Sequence, residues 1–86
     1  MDIANTAPIE RVARVLAGYE LSRNGGGDMA SADEAVDGLW PDFTGAALAI
    51  LKTLREPSAA MALAGDPAIW ERMMLAAIED ETISES

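Results

Sequence analysis

The chain is expected to fold as an all-α domain, and three observations lead there. Apolar residues recur at helical spacing in three separate stretches, residues 9–19, 43–54 and 69–78. Nowhere do β-branched residues alternate with polar ones over four or more positions, as a half-buried strand requires. Residues 57–78 read as helix, stop, cap and helix, with Gly65 placed to end one helix and Asp66-Pro67 placed to start the next. The expected architecture is a small irregular or orthogonal bundle of three longer helices plus one or two short ones, in one domain over residues 1–86.

The first helix is expected to open at Thr6-Ala7-Pro8, with Thr6 as cap and Pro8 in the first turn. Ile9, Val12, Ala13 and Leu16 then share a face, with Tyr19 at its edge and Arg11, Arg14 and Ser22 opposite. Asn24 and the triplet Gly25-Gly26-Gly27 end it, and residues 24–30 are expected to form a mobile loop. Ser31-Ala32-Asp33-Glu34 fits a capping box for a short second helix reaching about Leu39. Pro41 then disfavours helix at Trp40 and places a boundary there.

Phe43, Ala46, Ala47, Ile50, Leu51 and Leu54 form the stripe of a third helix over residues 42–56, opposed by Lys52 and Arg55. Ile50 and Leu54 are expected to be buried in it. Pro57 is expected both to stop this helix and to open a short alanine-rich one carrying Met61 and Leu63, which Gly65 closes in the left-handed conformation. The last helix, residues 67–80, turns Trp70, Met73, Met74, Ala77 and Ile78 to one side. Residues 1–5 and 81–86 are expected to be flexible ends.

Composition limits what such a domain can do. Half of the 86 residues are hydrophobic, but many are alanine and the only aromatics are Tyr19, Trp40, Phe43 and Trp70, so the core will be thin. Burial between copies of the chain would add what a monomer lacks, and a homo-oligomer or a complex with another protein is expected. Fifteen Asp and Glu against 6 Lys and Arg give a net charge of -9, which repels phosphate backbones and argues against direct nucleic-acid binding. With no cysteine and no histidine, the chain lacks thiol chemistry, the commonest general base and the commonest transition-metal ligand. No stretch approaches the uninterrupted apolar length of a membrane span, and the N-terminus lacks the pattern of a secretory signal. A cytoplasmic protein without membrane contact is expected.

Motifs that could carry chemistry fail on inspection. Counted from Asp33, a calcium loop would have Asp37 at position 5 and Gly38 at position 6, but Ala35 and Thr44 stand where two oxygen ligands belong. The glycine triplet is followed by Asp28 rather than by a lysine and hydroxyl at phosphate-binding spacing. Ser22, Ser31, Ser58 and Lys52 have no neighbouring base to activate them. No catalytic residue, cofactor, metal or small-molecule substrate is therefore assigned. The candidate interaction residues are Trp40, Trp70, Met73 and Met74 as apolar anchors, with Asp33, Asp37 and Asp42 as acidic ones.

The run Ala46, Leu51, Leu54-Arg55-Glu56-Pro57-Ser58, then Met61, Ala64-Gly65, Trp70, Met73 and Ala76-Ala77, resembles a pattern recurring in small bacterial and phage-associated helical proteins of unknown function. Glu10-Arg11-Val12-Ala13-Arg14, and Trp40 ahead of Phe43, extend the resemblance over most of residues 9–78. It implies no activity, cofactor or site residue. The leading expectation is a small non-catalytic interaction or accessory protein that self-associates. The alternative is an acidic regulator that occupies a basic, nucleic-acid-binding surface of a partner by charge mimicry.

Overall fold

The computed structural model describes residues 6–23 and 32–80, without the side chains of residues 32 and 33. The glycine-rich loop, the Ser31 cap and the two chain ends therefore lie outside the described residues. What is described is all-α: helices α1 (Pro8–Arg23) and α2 (Ala32–Leu39), a 3-10 turn (Trp40–Phe43), then α3 (Thr44–Leu54), α4 (Ala59–Ala64) and α5 (Pro67–Glu79). There is no strand among the described residues, and α1, α3 and α5 are the three longer helices.

The boundaries follow local chemistry. Ala7, rather than Thr6, occupies the cap position of α1, because its carbonyl accepts the first helical bond from the Arg11 amide at 3.1 Å. Pro8 is then the first helical residue, where its missing N–H costs nothing. Pro41 converts the end of α2 into a 3-10 turn, and the Thr44 hydroxyl donates to the Pro41 carbonyl as α3 begins.

Two expectations at the α4 boundaries are corrected. Pro57 lies before the helix and Ser58 caps it, its hydroxyl accepting from the Met61 amide at 3.2 Å. Gly65 is extended, with φ -162° and ψ -163°, so no left-handed residue is needed there. The chain straightens because Asp66 must itself be extended to cap α5, accepting from the Ala68 amide at 2.9 Å.

Helix α1 is the centre of the packing. It lies against α2, the 3-10 turn and α3, and more lightly against α5, while α3 also packs on α5. The buried apolar residues are Ala7, Ala13, Ala17, Ala47, Leu51 and Met74, and only alanines are completely enclosed. The helices thus meet through small side chains, which permits close approach and buries little area per contact.

The stripe assigned to α3 is rotated from expectation. Ala47 and Leu51 face inward, whereas Leu54 is 48% and Ile50 36% exposed, so the expected burial of these two is overturned. On α1, Tyr19 and Val15 point to solvent and Arg14, expected on the outer side, is turned into the packing. No helix of the described residues is long and apolar enough to cross a membrane.

Candidate interaction surface

Two constellations stand out, and they lie on different helices. The first is built on α1. Glu10 is 3% exposed, and one turn later Arg14 donates from Nε to its Oε2 at 2.8 Å. The same guanidinium reaches across to α2, where Nη1 donates to Asp37 Oδ1 at 2.6 Å, and its carbon lies 5.4 Å from the centre of the Trp40 ring. The hydrogen bond that Arg14 donates to Asp37, followed by the one it donates to Glu10, raises the Arg14 pKa above the ordinary arginine value. One arginine therefore ties α1, α2 and the 3-10 turn together.

This arrangement reassigns two of the candidate residues. Trp40 forms a platform under Arg14, and Asp37 holds the same cation while remaining 59% exposed at its side chain. Asp42 is exposed on the 3-10 turn. The side chain of Asp33 lies outside the described residues. The three aspartates are thus not equivalent members of one acidic patch, since Asp37 is already engaged within the fold.

The second constellation is a cradle between α4 and α5. Pro57, Met61, Ala64, Gly65, Asp66, Pro67, Ile69, Trp70 and Met73 surround a cavity of about 300 Å³. Gly65, Asp66 and Pro67, which connect α4 to α5, form part of its lining. Its position against α3 is fixed by Trp70, whose indole Nε1 donates to the Leu54 carbonyl at 2.8 Å. Leu54 in turn borders a shallower apolar depression with Ala49, Ile50 and Thr53.

The polar side chains of the cradle are engaged in holding it together. The Trp70 N–H is bonded to α3, and the Asp66 carboxylate caps α5. The remaining lining offers carbon and sulfur, chiefly from Met61, Ile69 and Met73. Ile69 and Met73, one turn apart, face outward, while Met74 turns into the core and is buried. Met74 is thereby removed from the candidate interaction residues. Trp70 and Met73 stay in, and Pro57, Met61 and Ile69 join them. The sequence signal for the cradle was the capped Gly65-Asp66-Pro67 turn between two apolar segments.

All six residues of α4 are exposed, and Leu63 reaches 91%. An alanine-rich helix this short has little intrinsic stability, so its caps at Ser58 and Gly65 carry much of its definition. Among the described residues no group of three or more acidic side chains is placed to hold a metal ion. Compared with known protein families, curated proteins and solved structures, the chain matches none.

Proposed function

We propose that this chain is a non-catalytic interaction protein that self-associates, with the α4–α5 cradle as its contact surface. The observation that carries the reading is the chemistry of the cradle's lining. It exposes methionine and isoleucine side chains, while the indole N–H and the carboxylate that could orient a reacting substrate are engaged by the fold. Apolar surface of this kind gains free energy when another apolar surface covers it. Methionine suits such contact because its unbranched thioether adapts to the shape it meets.

Sedimentation equilibrium at micromolar concentration tests this. The expected mass exceeds that of the 9.1 kDa chain. A single monomer mass across about a hundredfold dilution would overturn it.

The charge-mimic reading ranks second, and the net charge of -9 supports it. Asp37 weakens it, because that carboxylate is already paired with Arg14. Binding to a basic protein in competition with a DNA duplex is the appropriate assay. Displacement of the duplex that fades as salt is raised would favour this reading over self-association.

A further inference from the structure

Helix α4 is held differently from the other helices. The main contacts of the fold run among α1, α2, the 3-10 turn, α3 and α5, and α4 shares in none of them. Every residue of α4 is exposed. Its six residues make less than two turns, and an isolated helix shorter than about 12 residues is marginal in water even when rich in alanine, because the first turn is costly to nucleate. The longer helices offset that cost by burial. In α4 it falls on local bonds: the Ser58 cap, and the Ala62 and Gly65 amides donating to the Ser58 and Met61 carbonyls at 2.9 and 3.0 Å.

The joints on either side of α4 do not depend on it. The Trp70 indole N–H, bonded to the Leu54 carbonyl, ties the start of α5 to the end of α3 across the intervening segment. Asp66 caps α5 with its own carboxylate, and Gly65 before it is extended. Unwinding of α4 breaks neither of these bonds, so the segment between them can open while the junction of α3 with α5 stays in place. The cradle, by contrast, needs α4. Met61 and Ala64 supply one side of it, and Ile69, Trp70 and Met73 on α5 supply the other.

We infer that α4 is a conformational gate of the cradle: residues 59–64 exchange between helix and coil while α1, α3 and α5 stay folded, and the cradle is complete only in the helical state. The coupling of this gate to binding rests on the self-association proposed above. A copy that covers the cradle draws α4 into its helix, and the apparent affinity is lowered by the fraction of free chains in which α4 is formed.

Hydrogen exchange of the full chain, read by mass spectrometry at micromolar concentration, tests the gate. Amides of residues 59–65 are expected to exchange within about tenfold of the rate of an unstructured peptide, and those around Leu51 and Met74 at least about a hundredfold more slowly. Protection of α4 equal to that of α5 in the monomeric chain overturns the gate. Concentrating the chain about a hundredfold is expected to slow exchange in α4 selectively. Association that leaves α4 exchange unchanged overturns the coupling, while self-association stands.

Ala62→Gly adds a test by affinity, because Ala62 is exposed and does not line the cradle. It is expected to raise the dissociation constant about fivefold for each copy that must form α4, or about 25-fold for a dimer in which both do. The control Ala76→Gly, exposed on α5, is expected to change it by less than about twofold, since α5 is folded with or without a partner. Equal effects of the two substitutions overturn the coupling. A chain that stays monomeric at every concentration overturns self-association and the coupling together, and fast exchange confined to α4 would then still support the gate.

Discussion

Arg14 shows how much a single residue can decide in a domain with so little core. The i,i+4 relation of Glu10 and Arg14 was readable from spacing, but the same helical spacing put Arg14 opposite the face of Ile9, Val12, Ala13 and Leu16. The long aliphatic stem and planar guanidinium let it lie across the packing and meet Asp37 and Trp40 together. Arg14→Ala is expected to cost about 1–3 kcal/mol in urea unfolding, because it removes charge-assisted bonds to a carboxylate that remains buried. Asp37→Asn should cost under about 1 kcal/mol, since that partner is exposed and water can replace it. A loss for Asp37→Asn equal to that of Arg14→Ala would contradict this ordering.

The raised pKa of Arg14 fixes the sign of its pH dependence. Its contribution is fully present below the ordinary arginine pKa and is lost only as pH rises through the still higher folded value. Arg14 is therefore expected to hold Trp40 unchanged between about pH 7 and 10. Gly18 offers the opposite kind of test within the same helix. A Cβ built there meets Val36 Cγ2 at 3.9 Å, an ordinary van der Waals contact. Gly18→Ala should stabilise by about 0.5–1 kcal/mol, and a destabilised variant would show that α1 and α2 sit closer together than described.

At the scale of the helix, the sequence conveyed existence and type better than orientation. The periodicity of Phe43 to Leu54 identified α3 correctly, yet six apolar positions form a stripe wider than its neighbours cover. Ala47 and Leu51 are the buried positions of the stripe, and Ile50 and Leu54 fall on its open margin. Which part of a wide stripe is buried depends on the partner helix, which periodicity does not specify. Leu51→Ala is accordingly expected to cost about 2–4 kcal/mol. Leu54→Ala should cost less than about 1 kcal/mol, a reversal of what the stripe alone suggested. Comparable losses would mean that Leu54 is covered in solution.

The turn between α4 and α5 was the most legible piece of the candidate surface. Asp66-Pro67 identified the start of α5 to the residue, because an N-cap carboxylate and a proline at the first helical position each satisfy a defined backbone need. The geometry of Gly65 was not legible in the same way, since glycine permits left-handed and extended backbone alike. Nor could the sequence show that Trp70 would donate to the Leu54 carbonyl, a bond spanning sixteen positions. Ser58→Ala should lower stability by about 0.5–2 kcal/mol, with the loss confined to α4 in hydrogen exchange. Uniform loss of protection across all helices would instead make α4 part of the cooperative core.

For the molecule as a whole, the enclosed core is mostly alanine, while Ile50, Leu54, Met61, Leu63, Ile69, Met73 and Leu75 are left at the surface. Association between copies and folding should therefore be coupled, so that the melting temperature rises with protein concentration. Salt provides the sharper test. Two chains of net charge -9 repel one another, whereas residues 50–75, which include the cradle, carry no net charge, with Lys52, Arg55 and Arg72 against Glu56, Asp66 and Glu71. Screening within about 8 Å at physiological ionic strength weakens that repulsion while leaving the apolar contact in place. Raising sodium chloride from about 0.05 to 0.5 M should then strengthen self-association and raise the melting temperature at fixed protein concentration. Charge mimicry requires the opposite trend, because attraction between an acidic chain and a basic partner is itself screened. Dissociation of the wild-type oligomer on adding salt would show that ion pairs, rather than Met61, Ile69 and Met73, hold the copies together.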